Sequence, residues 1–177
     1  TGSTRLPAKV LADLSGRPML AFLVERLRRC ASVNRLFLAT TESDEDDYLV
    51  ELGESLGLTV VRGSQHDVLF RFVQVLEHTD ASVLIRITGD CPFVDPGLIE
   101  EMIHQFQSEN IDYLTNSVPP TYPDGLDVEI FSRQALLLAH AECTDPIQRE
   151  HVTPWMRVSE SCRWSQKKHS SDCSSMR

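Results

Sequence analysis

The chain has 177 residues, 41% of them hydrophobic and 24% charged, which suits one globular domain with a core of its own. Its formal net charge of −9 argues against non-specific binding to nucleic acid, while a small polyanionic ligand needs only a local basic cluster. No apolar run approaches the length of a membrane span, so no membrane partner is expected.

The chain opens on Thr1-Gly-Ser-Thr-Arg-Leu-Pro-Ala-Lys9, a small turn carrying two cations. Gly2 lets the backbone approach a bound group, and successive N–H groups around Ser3 can form an anion-binding concavity. Arg5 adds a planar charged fork and Lys9 a compact point charge, a set that suits a polyphosphate; a solvated basic turn is the alternative. Such a turn in an α/β domain ordinarily follows a strand, so the domain is expected to lack its first strand here.

Apolar runs then alternate with helical patterns. Met19, Phe22, Leu23 and Leu27 have helical spacing, residues 35–40 read as a buried strand, and Leu49, Leu52 and Leu56 follow an acidic first turn at 44–47. A strand at 58–61 leads through a loop at 62–67 into a helix at 68–77. Another strand at 82–88 ends in Gly89-Asp90, and Pro96 opens a helix to Phe106, with Asp95 placed to cap it. This alternation predicts an α/β domain with a largely parallel sheet, whose ligands sit at the carboxyl ends of the strands.

Asp90 stands at such an end. A lone carboxylate there is a good hard-oxygen ligand for Mg²⁺, or else it caps the next helix. Tyr122-Pro-Asp-Gly-Leu-Asp127-Val-Glu129 is a turn entering a strand, with both carboxylates on one strand face. Asp127 is then a site residue or part of a solvent-facing hairpin edge, and Glu129 is assigned to the edge. Ser64 and Asp67 suit a helix cap, or a loop that holds a base or ribose. His151 has no metal-ligand partner at suitable spacing and reads as structural or as a contact at the substrate's edge. The five cysteines, Cys30, Cys91, Cys143, Cys162 and Cys173, show no C-x-x-C pair, which favours reduced thiols in a cytoplasmic setting. Beyond Arg157 the chain is serine-rich and aperiodic, so a domain is drawn over residues 1–158 and a disordered or foreign tail over 159–177.

Taken together, Gly-Ser-Thr-Arg-Leu-Pro-x-Lys, Arg62-Gly-Ser64, Asp67-Val-Leu69, Arg86-Ile-Thr-Gly-Asp-Cys-Pro92, Tyr122-Pro-Asp-Gly-Leu-Asp-Val-Glu129 and Glu150-His-Val-Thr-Pro154 resemble the cytidylyltransferases that activate acidic sugars. The similarity is greatest to the spore coat polysaccharide biosynthesis protein F group, and extends to CMP-Kdo and CMP-sialic acid synthetases. It departs from that pattern at Ala8, where the family usually has glycine, and after Arg157. The resemblance implies a Rossmann-like, three-layer nucleotide-diphospho-sugar transferase fold with a mostly parallel, mixed sheet. It implies CTP and a sugar acid as substrates, a CMP-sugar and pyrophosphate as products, Mg²⁺ as cofactor and a homodimer. Gly2, Ser3, Arg5 and Lys9 would hold the triphosphate, with Ser64, Asp67 and Arg71 in the nucleotide or sugar pocket. Asp90 and Asp127 would bind the metal, with Asp127 also able to orient the attacking hydroxyl, and Arg86 is open to a substrate carboxylate or a buried ion pair. Another nucleotide-sugar transferase of the same fold, or an inactive binding homologue, is the alternative.

Overall fold

Short apolar strands and amphipathic helices follow one another along the chain, and each kind of element needs the other to cover its apolar face. The computed structural model describes residues 9–14 and 16–169. Lys9–Leu11 forms a single 3₁₀ turn, and the hairpin strands β1 (Asp13–Leu14) and β2 (Arg17–Pro18) follow it. Then come α1 (Met19–Leu27), β3 (Phe37–Thr41), α2 (Asp47–Ser55), β4 (Thr59–Gly63), α3 (Val68–Val75) and β5 (Val83–Arg86). The second half holds α4 (Pro96–Ser108), β6 (Tyr113–Thr115), β7 (Glu129–Ser132), α5 (Arg133–Glu142), α6 (Pro146–His151), α7 (Pro154–Val158) and β8 (Trp164–Gln166).

Side chains close the orphan amides at several helix starts. Asp67 Oδ1 accepts from the Phe70 amide at 2.9 Å, and Asp95 Oδ1 accepts from Gly97 and Leu98 at the head of α4. Asp95 therefore does the capping that Asp90 might have done, and Pro96 occupies the first turn as its sequence position suggested.

β3 and β4 pair in parallel, with Phe37 opposite Thr59 and Thr41 opposite Gly63. The larger ladder runs β5-β7-β6-β8: β7 is antiparallel to both of its neighbours, and β8 is parallel to β6. The sheet is thus mixed. Among the described residues the second edges of β3 and β5 carry no strand. An apolar cleft of about 480 Å³ has Phe37 and Ala39 from β3 and Leu84 and Ile85 from β5 in its walls.

Strand alternation sends the core to both faces. Leu114 and Ile130 pack with Leu98, Met102 and Phe106 of α4. Their strand neighbours Tyr113 and Phe131 go to the opposite face, among Leu69, Leu136 and Met156 from α3, α5 and α7. Helices on both sides of a doubly buried sheet make the three layers. A third cluster, Leu20, Val24, Leu49 and Leu58, fastens α1 and α2 to the β3–β4 pair.

One boundary moves. The sequence pattern fades after Arg157, yet the fold continues through β8. The Asp112 and Tyr113 amides donate to the Arg163 carbonyl, the Lys167 amide donates to that of Thr115, and Lys167 pairs with Glu101 of α4 at 3.0 Å. Cys162 is buried in the α5–α7 core. The order comes from backbone pairing, which a serine-rich composition does not announce. Residues 170–177 lie outside the described part.

Candidate functional site

The carboxyl ends of β3 and β5, with the amino end of the antiparallel β7, open onto two adjoining cavities. The larger, about 570 Å³, is walled by Thr40 and Thr41 of β3, by Asp46, by Arg71 of α3 and by Thr88 and Gly89 beyond β5. The smaller, about 280 Å³, is walled by Asp127, Glu129, Thr153 and Arg157. Arg86, Thr88 and His151 belong to both, so the segment after β5 forms the threshold between them.

The wall at β3 is built around Asp46, which is 1% exposed. Its Oδ2 accepts from the Thr40 hydroxyl at 2.6 Å, the Thr41 hydroxyl at 2.6 Å and the Thr41 amide at 3.0 Å. Burial opposes its ionisation, but these donors prevail and hold the carboxyl well below the usual range. Arg71, 8% exposed, adds a guanidinium whose buried Nε is bonded to nothing among the described residues. Burial lowers its pKa, and the Asp46 charge pulls the other way. Gly63 makes this possible: a Cβ there would lie 2.6 Å from Arg71 Cγ and would also collide with the Gln74 side chain. Arg71 therefore lines the larger cavity, while Asp46, which lines it too, carries no sequence signal beyond an acidic helix start.

The floor of the smaller cavity is an ionic network. Glu129 is 6% exposed, and Arg86 pairs with its Oε2. Its Oε1 accepts from the Tyr113 hydroxyl at 2.6 Å and the Thr153 hydroxyl at 2.5 Å. This corrects the assignment of Glu129 to a solvent-facing edge: β7 is a central strand, so the carboxylate is enclosed and must be paired. Arg86 is thereby committed to a buried ion pair, the second of its two readings.

Asp127 lies just before β7. Its carboxyl is pushed up by burial and by the neighbouring Asp124, Glu129 and Asp90 charges, with Arg86 partly offsetting them. Cys91 lies in the same loop as Asp90: its thiol is 3.1 Å from Thr88 Oγ1 and 3.9 Å from Asp90 Oδ1. Burial keeps that thiol protonated, helped by the Asp90 and Asp127 charges. Among the described residues no group of three or more His, Cys, Asp and Glu side chains makes a metal cage. Mg²⁺ does not need one, since it is commonly held by one or two carboxylates together with phosphate oxygens. A cation between Asp90 and Asp127 would relieve the repulsion that raises Asp127, so this pair fits Mg²⁺.

Ser64 and Asp67 are placed beside the larger cavity and serve the loop itself. Ser64 Oγ accepts from the His66 and Asp67 amides at 3.2 and 3.1 Å. Asp67 caps α3 with one oxygen, and its other oxygen accepts from Arg149 Nη2 at 2.8 Å and Nε at 3.0 Å. These contacts give Asp67 the helix-cap role and Ser64 a loop-closing one, the first of the two readings open to this segment. Gly2, Ser3 and Arg5 lie outside the described residues, as does the side chain of Lys9.

The sequence model of the family described as Cytidylyltransferase matches residues 1–167. The spore coat polysaccharide biosynthesis protein SpsF of Bacillus subtilis is 38% identical over 163 residues, covering 88% of this chain and 66% of that protein. A 3-deoxy-manno-octulosonate cytidylyltransferase of Trichlorobacter lovleyi is 33% identical over 106 residues, covering 59% and 41%. The chain thus spans about two-thirds or less of the length of these curated relatives. A solved cytidylyltransferase from Leptospira borgpetersenii superposes with a TM-score of 0.90 at 31% identity, covering 99% of this chain and 75% of that one.

Proposed function

The chain belongs to the cytidylyltransferase family, and from that premise we propose that it joins CTP to an acidic sugar, releasing pyrophosphate. The observation that carries this reading is the pair of cavities meeting at Thr88, one roomy with a polar wall at β3 and one smaller with an ionic floor. A nucleotide fits the larger, with Arg71, Thr40 and Thr41 as its polar partners, and the acceptor sugar fits the smaller. The name of the Bacillus relative supports polysaccharide assembly as the destination of the product.

In the proposed reaction a sugar hydroxyl attacks the α-phosphorus. The new oxygen–phosphorus bond forms as the bond to pyrophosphate breaks. Transfer of this kind depends mainly on positioning and charge neutralisation. Asp127 orients the attacking hydroxyl and takes its proton. Arg5 and Lys9, with the Gly2–Ser3 backbone, hold the triphosphate and the departing pyrophosphate. Mg²⁺, held by Asp90 and Asp127 when bound, would act as a Lewis acid on phosphate oxygens. The same proposal includes a homodimer, supported by the exposed apolar side chains of Ile147 on α6 and Val158 on α7.

The test is pyrophosphate release from CTP, UTP, GTP or ATP with a panel of sugar acids, with and without Mg²⁺. Turnover confined to CTP, a sugar acid and Mg²⁺ supports the reading. Turnover with another nucleotide, or with neutral sugars alone, overturns it. Lys9→Ala should lower the rate by roughly 10²- to 10³-fold, the usual loss for a transition-state charge partner. A change of only a few-fold removes Lys9 from that role.

A further inference from the structure

Arg157 stands out among the charged groups of the smaller cavity. Glu129 has both oxygens engaged, and Arg86 is tied to it. Arg157 lines the same cavity, partly buried, and among the described residues it has neither a hydrogen bond nor an ion pair. It lies four residues after Thr153, on the same side of α7, so one helical turn separates it from the hydroxyl that touches Glu129.

The backbone leading to it is strained in a way that serves this cavity. Val152 has φ 73° and ψ −58°, and the Thr153 amide donates to the His151 carbonyl at 2.9 Å. This is a γ-turn of the unfavourable hand, rare for any residue and costlier for a β-branched one. It persists because Val152 is fully buried in the α5–α7 core, and because Arg149, one turn earlier, is clamped to Asp67. The turn sets His151 on one side and Thr153 on the other, both in the cavity wall. Strain held in place by its surroundings at a pocket wall points to a geometric demand there.

We infer that Arg157, with His151 in the same cavity wall, is the receptor for the carboxylate of the acceptor sugar. This rests on the acidic-sugar reading above and names the group that recognises the acid. An arginine fork matches a planar carboxylate with two parallel hydrogen bonds, which a compact ammonium does not. Asp127 and Glu129, which line the same cavity, oppose a doubly charged phosphate more strongly than a singly charged carboxylate. Seating the carboxylate against α7 leaves the sugar's hydroxyl edge toward Asp127 and the threshold at Thr88.

The experiment compares wild type with Arg157→Gln, Arg157→Lys and His151→Asn, using pyrophosphate release. The acceptors are the sugar acid that the wild type accepts, starting with 3-deoxy-manno-octulosonate, its carboxamide and the corresponding sugar phosphate. Arg157→Gln should raise the acid's KM by roughly 10- to 100-fold, the range for losing a charge-assisted hydrogen bond, with the KM for CTP nearly unchanged. Preference for the acid over the carboxamide should collapse, and Arg157→Lys should restore part of it. A merely structural role would depress both acceptors equally and would not be rescued by charge. Unchanged preference for the acid in a folded Arg157→Gln protein overturns the assignment and leaves the acidic-sugar reading intact. A wild type that binds CTP but takes no acid, or prefers the phosphate, overturns both. Should Arg157→Gln fail to fold, His151→Asn and Arg157→Lys decide by the same preference ratio.

Discussion

Val152 shows how a single backbone angle shapes the site. At φ 73° any side chain with a Cβ is strained, whereas glycine is not. Val152→Ala loses buried volume and keeps the strain; Val152→Gly loses slightly more volume and sheds the strain. The glycine variant should therefore be the more stable of the two by about 1 kcal/mol, the reverse of the order in a helix. Urea denaturation of both variants checks this, and an alanine variant as stable as the glycine one would remove strain from the account. Asp67 joins two tasks, the cap of α3 and the clamp on Arg149, 82 residues away. Asp67→Ala should cost about 2–3 kcal/mol in denaturant melts. Burial resists the ionisation of Asp67, but the Arg149 guanidinium and the Phe70 amide outweigh it and lower the pKa. The folded state therefore binds this proton less readily than the unfolded chain. Its stabilisation is fully present above the unfolded value of about 3.9 and fades as pH falls through the lower folded value. Wild type and Asp67→Ala should converge in stability in that acid range.

Asp127 has the opposite sign. Its raised pKa means that the folded state binds the proton more tightly, so stability falls as pH rises from about 3.9 through the folded value. Asp127→Asn should leave ligand-free stability at neutral pH unchanged or raise it by at most about 0.5 kcal/mol, given partial exposure. The same change should lower turnover by about 10²-fold or more, the scale of a lost general base. Thermal melts and pyrophosphate release on one preparation test both halves; a destabilised, active variant would contradict them.

Among the elements, β8 departs furthest from its sequence. Trp164 is 41% exposed, so no alternation of buried side chains marks the strand. What the strand contributes is partners for the amides and carbonyls along β6, together with the burial of Cys162, whose thiol burial pushes up to about 11. Ending the chain at Ser161 should therefore destabilise the fold by roughly 3 kcal/mol, from a few backbone hydrogen bonds and one buried side chain. Denaturant melts of the shortened chain are the check, and an unchanged midpoint would show β8 to be dispensable. The helices were easier to foresee. Asp95-Pro96 and Asp67 announce their helix starts because a short acidic side chain can satisfy orphan amides locally.

For the whole molecule, the site exists only where separate pieces meet. The β3 end brings Thr40, Thr41 and Asp46, the β5 end brings Thr88, the segment before β7 brings Asp127, and α6 and α7 bring His151 and Arg157. A ligand that spans these pieces should make them one cooperative unit. CTP with Mg²⁺ at about 100 times its dissociation constant should stabilise the protein by about 2.7 kcal/mol. Scanning calorimetry with and without CTP reads this, and a midpoint that CTP leaves unmoved would count against nucleotide binding. Among the described residues no helix is long and apolar enough to cross a membrane.

The sequence by itself determined the alternation of strands and helices, the caps at Asp67 and Asp95, and the positions of Asp90 and Asp127 near strand ends. Each of these is a local property: hydrophobic period, cap chemistry and residue type act over a few neighbours. Tertiary structure alone decided what lies far apart in sequence. It placed Glu129 on a central strand where Arg86, Tyr113 and Thr153 enclose it. It spent Asp67 on Arg149, sank Asp46 beneath Thr40 and Thr41, and left Arg157 facing a cavity among the described residues without a partner. Burial and pairing depend on which strands become neighbours and which helix covers them, and no window of adjacent residues contains that information.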